Sequence, residues 1–370
     1  MPHRYLFVGS LPPPYHGQAI AFKEAVDVIK GDKKVVHTSF RGENLLHSLF
    51  LSLIYYFDIL RIRFFYRPDV VYFLCSRSRI GLLRDVWLLL LFYFSNARVI
   101  NHLHGSDFAD LINGLPAIVK SIAIKLYERV NEHAVLIEPM IEQLKCINSE
   151  KKATIIHNFY GKEADDYIIA REVNYERPLT VLYLSSILPS KGIFELIEAV
   201  KQVSNSGCTI RLHVAGGFLA DKSLSLEAVT QKFYEAIAGC EAFIVFEGVV
   251  TGEKKYQLLS KADVFVLPSY YKSEAVPLSI IEAMRMGCYI ITTDFRYLPS
   301  LVVSGINGRL VEQESVDSLV DALRAIDSNR VELADVSSFN ISHAEMNYSE
   351  SLYKTNIKNF LLVSNNCDKV

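Results

Sequence analysis

What most constrains the fold of this 370-residue chain is a repeated alternation. Short apolar runs take turns with helical patterns over the N-terminal half, and do so again over the C-terminal half. Strands buried on both faces and separated by helices are the requirement of a parallel sheet, because each crossover lays a helix on it. In the first series the pattern predicts strands at Tyr5 to Val8, Lys34 to Ser39, Val70 to Cys75, Arg98 to Leu103, Ala134 to Ile137 and Thr154 to His157. Helices are expected around Ala19 to Lys30, Leu45 to Phe65, Leu82 to Phe94, Ala117 to Arg129 and Met140 to Cys146. The second series predicts strands starting near Thr180, Thr209, Ala242, Asp263, Tyr289 and Gly308, with helices at Gly192 to Val203, Leu226 to Ala238, Glu253 to Lys261 and Val316 to Ile326. The polar segment Gly161 to Pro178 separates the two. The expectation is α/β: two doubly wound domains over 1–165 and 179–345, a linker at 166–178, and a C-terminal segment 346–370 with helical spacing from Tyr348 to Val363. The chain is long enough for each domain to bury its own core.

In such sheets ligands bind outside the carboxyl ends of the strands, so the loops there are the place to look for chemistry. After the run Asp263 to Ser269 comes Ser273-Glu274-Ala275-Val276-Pro277-Leu278-Ser279-Ile280-Ile281-Glu282-Ala283-Met284-Arg285-Met286-Gly287. Pro277 near the first position and Gly287 just past the last mark this as a helix. Its unpaired N–H groups and positive dipole end suit a phosphate or diphosphate. Glu274 precedes that terminus and Glu282 lies within the helix, where a charge is costly to bury alone. Both can face a polyhydroxylated phosphate ligand; equally, Glu282 can pair locally and Glu274 can be a solvated loop charge.

Three other loops stand out. Gly9-Ser10-Leu11-Pro12-Pro13-Pro14-Tyr15-His16-Gly17-Gln18 is stiffened by prolines, and Gly17 permits close backbone approach at a helix entrance. Asn101-His102-Leu103-His104-Gly105-Ser106-Asp107 puts His102 and His104 on one side of a strand, as a metal pair or as satisfied structural histidines. Ser185-Ser186-Ile187-Leu188-Pro189-Ser190-Lys191-Gly192 brings Lys191 to a helix start, as a point charge for phosphate or as an ordinary surface lysine.

Read in order, Pro268-Ser269, Glu274, Pro277-Leu278, Glu282-Ala283-Met284, Gly287 and then Gly305-Ile306-Asn307-Gly308-Arg309-Leu310 closely resemble the signature of glycosyltransferase family 4. The resemblance implies a GT-B fold, two Rossmann-like domains facing across a cleft, with the last helix crossing back onto the first. It also implies an EC 2.4 enzyme that transfers a sugar, with retention of configuration, from a nucleotide-diphosphate donor to a hydroxyl of a glycan acceptor. By the same resemblance Glu274 bonds the donor sugar's hydroxyls and Glu282 the ribose, while Val276, Pro277, Leu278 and Ser279 present amides to the sugar and diphosphate. His104 matches the family's active-site His-Gly segment, so His104 and Glu274 are the catalytic candidates. Gly17, Ser186 and Lys191 fall at donor-binding positions. Two departures accompany the match. His16 stands where a second glycine is commoner, and Ser186 where many members have arginine, a role Arg77 or Arg79 could take instead. Related readings are a sugar-nucleotide 2-epimerase and a non-catalytic transferase-like binding subunit.

No Asp-x-Asp triad occurs, so neither metal nor cofactor is expected; the UDP- or GDP-linked sugar is a substrate, and the helix end with Lys191 serves the leaving diphosphate. A net charge of −2 and a hydrophobic share of 50% speak against disorder and against a general attraction to nucleic acid. Six scattered cysteines read as reduced thiols. The N-terminus runs straight into a strand pattern without a signal-peptide apolar region, and no run reaches the ~18 residues of a spanning helix. The expected setting is therefore cytoplasmic. In Leu45 to Arg67, aromatic residues stand beside Arg61, Arg63 and Arg67. That pairing suits an anionic membrane surface and a lipid-diphosphate acceptor, and hence peripheral binding at the inner face of the cytoplasmic membrane during synthesis of O-antigen, capsule or exopolysaccharide. It suits internal helices with snorkelling arginines as well.

Overall fold

The computed structural model describes residues 3–13, 16–38, 45–169, 174–221 and 224–362, without the side chains of 45–49. Pro14 and Tyr15 of the first loop, Ser39, linker residues 170–173 and the tail beyond Leu362 lie outside the described residues. Two compact units are present, one made of 1–158 with 351–370 and the other of 159–350.

The first unit is a parallel sheet of β1 (Tyr5–Gly9), β2 (Lys33–His37), β3 (Val70–Leu74), β4 (Arg98–His102), β5 (Glu132–Val135) and β6 (Ala153–Ile155), in the order β2-β1-β3-β4-β5-β6. β1, β3 and β4 are buried throughout; β1 and β3 read as unbroken apolar runs for that reason, whereas β4 buries the polar side chains of Arg98, Asn101 and His102. Right-handed crossovers place α1 (Gly17–Asp27) on one face. The same rule places α2 (Leu45–Arg61), α3 (Arg79–Phe92) and, after the short α4 (Phe108–Asn113), α5 (Ala117–Tyr127) on the other.

Specific bonds hold each layer. Trp87 Nε1 donates to the Tyr56 carbonyl (3.3 Å) and Arg63 Nε to that of Leu91 (2.9 Å), joining α2 and its extension to α3. The Tyr127 hydroxyl donates to the buried Asp85 carboxylate (2.8 Å), joining α5 to α3.

The long helix expected to reach Phe65 is α-helical only to Arg61. It then widens into a π-helical turn, Ile62–Tyr66, that closes on Arg67 in the left-handed conformation. α3 starts earlier than its apolar pattern, because the Ser78 hydroxyl accepts from Gly81 N–H (3.0 Å) and caps it. The segment expected to be helical from Met140 to Cys146 forms 3-10 turns over Glu138–Ile147.

In the second unit β7 (Leu179–Leu184), β8 (Ile210–Ala215), β9 (Ile244–Gly248), β10 (Val264–Leu267), β11 (Tyr289–Thr293) and β12 (Gly308–Val311) form a parallel sheet ordered β12-β11-β10-β7-β8-β9. Its helices are α6 (Ile193–Asn205), α7 (Leu226–Ile237), α8 (Gly252–Lys261), α9 (Leu278–Arg285), α10 (Val316–Ser328) and α11 (Glu332–Tyr348). α11 has no counterpart in the expected pattern, and it anchors the far end of α9. The buried Arg285 donates to Asp165 (2.7 Å), to Glu345 (2.9 Å) and to the Ile341 carbonyl (3.1 Å). Asn340 Nδ2 donates to the carbonyls of Cys288 (2.8 Å) and Asn307 (3.0 Å). Gly287, at φ 72, ends α9 so close to α11 that a Cβ there would collide with Ser337. With its C-terminal end fixed, α9 presents its N-terminus at the carboxyl edge of the sheet.

The last helix, α12 (Glu350–Leu362), packs with the first unit. Tyr353 donates to the Ala21 carbonyl (2.8 Å) and Lys354 pairs with Glu24 (3.0 Å). Arg98, buried, reaches the carbonyls of Phe360 (2.8 Å) and Leu361 (3.2 Å) as well as Glu132 (2.7 Å), which satisfies its guanidinium without solvent.

Candidate active site

Strand order in the second sheet reverses between β7 and β10, and the crevice at such a reversal is where α/β sheets take their ligands. The loop after β7 carries Ser186 and Lys191; the loop after β10 carries Glu274 and leads to α9. The two loops are bonded to each other, Tyr270 N–H donating to the Ser190 carbonyl (2.9 Å). Gly192, at φ 74, lies so near Pro268 that a Cβ would collide with its carbonyl, so this approach needs a glycine.

Within this frame Lys191 Nζ lies 2.5 Å from Glu274 Oε2 and 4.9 Å from the centre of the Tyr271 ring. The Ser269 hydroxyl donates to the same carboxylate oxygen (2.6 Å). The lysine and glutamate side chains are only 14% and 8% exposed. Glu274 is therefore a buried, paired carboxylate rather than a solvated loop charge, and burial at this depth requires such pairing. Glu282, one turn into α9, is also paired: its Oε1 lies 2.6 Å from Nζ of Lys255 on α8, which stacks over Tyr256 at 4.3 Å.

Pro277 is the N-cap of α9 rather than its first helical residue and supplies no side-chain cap bond. Val276 is buried, and Pro277, Leu278 and Ser279 are half-buried at the helix entrance. Ser186 contributes no cation. Its carbonyl accepts from the Tyr183 hydroxyl (2.8 Å), which fixes the start of the loop. The unit thus offers two ammonium groups, two carboxylates and a helix N-terminus at one sheet edge. Those are the complements of a diphosphate and of sugar hydroxyls.

In the first unit the strand order reverses between β1 and β3. Gly17 is the first residue of α1, and His16, in place of the second glycine, caps that helix by accepting from Ala19 N–H at Nδ1 (3.2 Å). His104 lies just beyond β4, its ring 4.1 Å from that of His102, whose Nδ1 is bonded to the Tyr72 hydroxyl (2.6 Å). Burial drives the basicity of His104 well below the ordinary histidine value, and His102, Arg77 and His16 add to the effect. Burial holds His102 down to about 3. Nε2 of both rings is buried without a hydrogen-bond partner. A neutral His104 can donate or accept a hydrogen bond but is a poor proton acceptor. The two histidines do share a side, yet among the described residues no group of three or more His, Cys, Asp or Glu side chains could hold a metal ion.

Lys255 and Tyr271 carry no local signal in the sequence, since their partners lie on other elements. Ser269 is visible there only as part of the Pro-Ser pair that closes a strand.

Residues 165–340 match the family model for glycosyl transferases group 1. This segment belongs to that family. The chain is 27% identical over 247 residues to the lipopolysaccharide 1,2-N-acetylglucosaminetransferase of Salmonella typhimurium, which covers 65% of this chain and 61% of that protein. It is 30% identical over 193 residues to the alpha-galactosylglucosyldiacylglycerol synthase of Streptococcus pneumoniae, covering 49% and 48%. Its first curated relatives are matched over only 36% to 61% of their own length. The crystal structure of Anabaena HepE with UDP-glucose is similar over 97% of this chain and 99% of that one, with a TM-score of 0.73 at 15% identity. That likeness, with the two six-stranded parallel sheets, establishes the GT-B fold.

Proposed function

We propose that the protein transfers a sugar from a nucleotide-diphosphate donor, uridine-linked by preference, to a hydroxyl of a lipid-linked glycan during surface-polysaccharide synthesis, as a retaining family 4 transferase. The observation that carries this reading is the Lys191–Glu274–Ser269 cluster at the strand reversal of a group 1 domain. Uridine is favoured because HepE was captured with UDP-glucose, and a lipid-linked glycan because the relatives include enzymes named for lipopolysaccharide and glycolipid products. We assign the protein to the cytoplasmic membrane's inner face, where such acceptors are extended.

In this account the α9 N-terminal amides and Lys191 neutralise the leaving diphosphate, a role that needs no metal ion. Glu274 holds the sugar hydroxyls, Glu282 the ribose, and neutral His104 bonds the sugar without taking a proton. The bond from the anomeric carbon to the phosphate oxygen breaks as the acceptor oxygen bonds on the same face. The acceptor's proton passes to the departing phosphate, leaving a nucleoside diphosphate and a glycoside of unchanged configuration. The test is a calorimetric titration with UDP, GDP and their sugar conjugates. Saturable binding of a uridine nucleotide, weakened about tenfold or more in Glu282→Gln through loss of a charge-assisted hydrogen bond, is expected; no binding of any nucleotide would overturn the reading.

A further inference from the structure

The outer face of the α2–α3–α5 layer is apolar where a soluble surface would be polar. On α2 and its π turn the exposed positions Phe50, Leu53, Ile54, Phe57, Phe64 and Phe65 recur at helical spacing, while Tyr55, Ile59 and Ile62 face the core. The face does not end there. On α3 Ile80 is 82% exposed and Leu83 and Leu90 are exposed, and Phe94 just past its end is 88% exposed. On α5 Ile118 is 78% exposed, and Val119 and Ile122 are exposed as well. Trp87 to Tyr56, Arg63 to Leu91 and Tyr127 to Asp85 bind these three helices side by side, so the exposed residues form one surface. A contiguous apolar surface of this kind marks an interaction site.

Its charge says which. α2 and its extension carry Arg61, Arg63 and Arg67 against Asp58, and α5 with its end carries Lys120, Lys125 and Arg129 against Glu128. Among the described residues none of these six cations pairs with a carboxylate. Arg63 and Arg67 bond backbone carbonyls, Lys120 an asparagine oxygen, and Arg129 stacks on Tyr93. A cationic face in a chain of net charge −2 is an asymmetry, and it would repel a second copy of itself across a two-fold axis. No helix among the described residues is long and apolar enough to cross a membrane, so the face can lie on a bilayer but not enter it as a span.

We infer that α2, α3 and α5 together form a three-helix platform that seats the protein on an anionic lipid surface, with Ile80, Leu83, Phe94, Ile118 and Ile122 entering the interface beside the aromatic residues of α2. This deepens the membrane setting proposed above and rests on it only for its purpose, since vesicle binding needs neither donor nor acceptor. Parent protein and a variant carrying Ile80→Ser, Leu83→Ser, Phe94→Ser, Ile118→Ser and Ile122→Ser are partitioned onto vesicles of phosphatidylglycerol with phosphatidylcholine, and onto phosphatidylcholine alone. The parent should prefer the anionic vesicles, salt should weaken the preference, and the variant should partition at least about tenfold more weakly while leaving α2 intact. Hydrogen exchange on the unmodified parent gives a second readout, with vesicles expected to protect 50–67, 79–94 and 117–129 together. Equal partitioning of a folded variant, protection confined to α2, or self-association that protects the same three helices would each overturn the platform. UDP titration of the same samples keeps this outcome separate from that of the transfer reading.

Discussion

Removing the Lys191 ammonium should destabilise the second unit by about 3 kcal/mol, because Lys191→Ala leaves the Glu274 carboxylate buried with a single hydroxyl partner. The figure follows from the geometry. Glu274 Oε2 accepts from Lys191 Nζ at 2.5 Å and from the Ser269 hydroxyl at 2.6 Å, with the glutamate side chain 8% exposed. Losing one partner of a buried pair costs roughly 3 to 5 kcal/mol, and the lower end applies because Ser269 stays in place. In a unit of this size that is a fall in melting temperature of about 6 to 12 °C. Glu274→Gln should also destabilise, by stranding the ammonium. The double variant Lys191→Met, Glu274→Gln buries no charge and should recover most of the loss, so that, with Lys191→Met as the matching single, the coupling energy in urea unfolding exceeds about 2 kcal/mol. On the proposed reading its transfer activity should nonetheless stay as low as that of the singles, since the diphosphate loses its cation and the sugar hydroxyls lose a charged carboxylate partner. If Lys191→Ala unfolds within ~0.5 kcal/mol of the parent, the margin of an ordinary surface change, the pair is not the buried contact described. If the double variant transfers sugar at the parent's rate, the pair is purely structural.

Activity should survive EDTA if, as proposed, the helix end and Lys191 do the work of a cation; loss with EDTA and recovery with a divalent ion would contradict this. Gly192→Ala should strain the loop by about 1 to 3 kcal/mol and displace Lys191, because it puts a Cβ against the Pro268 carbonyl at a positive φ; unchanged urea unfolding and donor affinity would argue otherwise. Stability of the first unit should fall as pH falls. His102 and His133 are held down to about 3 by burial, so below the ordinary histidine value only the unfolded chain takes up their protons. The loss should be roughly 2 kcal/mol per histidine between pH 6.5 and 5. Trp87, the single tryptophan, lies in this unit and reports its urea unfolding by fluorescence, and equal stability at the two pH values would mean these imidazoles are not buried.

What the sequence makes legible, and what it hides, follows from the range of each interaction. Runs such as Val70 to Leu74 and Tyr289 to Thr293 are readable because strands buried on both faces are mostly apolar and β-branched, with polar residues such as Thr292 and Thr293 admitted only where a hydrogen bond satisfies them. α9 is readable from its proline and glycine punctuation. α11 is not: Ser337, Asn340 and Ala344 give it little apolar periodicity, and it is held by Arg285 and Asn340 contacts to chain far away in sequence. The glutamates could be marked as candidates, but their lysine partners could not be paired with them, since Lys191 is 83 residues from Glu274 and Lys255 is 27 from Glu282. The apolar face was partly visible in α2. α3 is apolar almost all round, so its pattern cannot say which side meets solvent; the crossover that stacks it beside α2 and α5 decides that.

On the proposed reading this chain makes a glycosidic bond to an acceptor hydroxyl from a nucleotide-diphosphate sugar. Radiolabelled UDP-sugars incubated with the purified protein and a bacterial lipid extract, in EDTA, test it directly. Label should enter the lipid fraction only when extract is present, with one nucleoside diphosphate released per sugar transferred and the donor's anomeric configuration found in the product by nuclear magnetic resonance. Donor converted to an epimer without any acceptor, an inverted linkage, or label that stays with intact donor across the donor panel would contradict it.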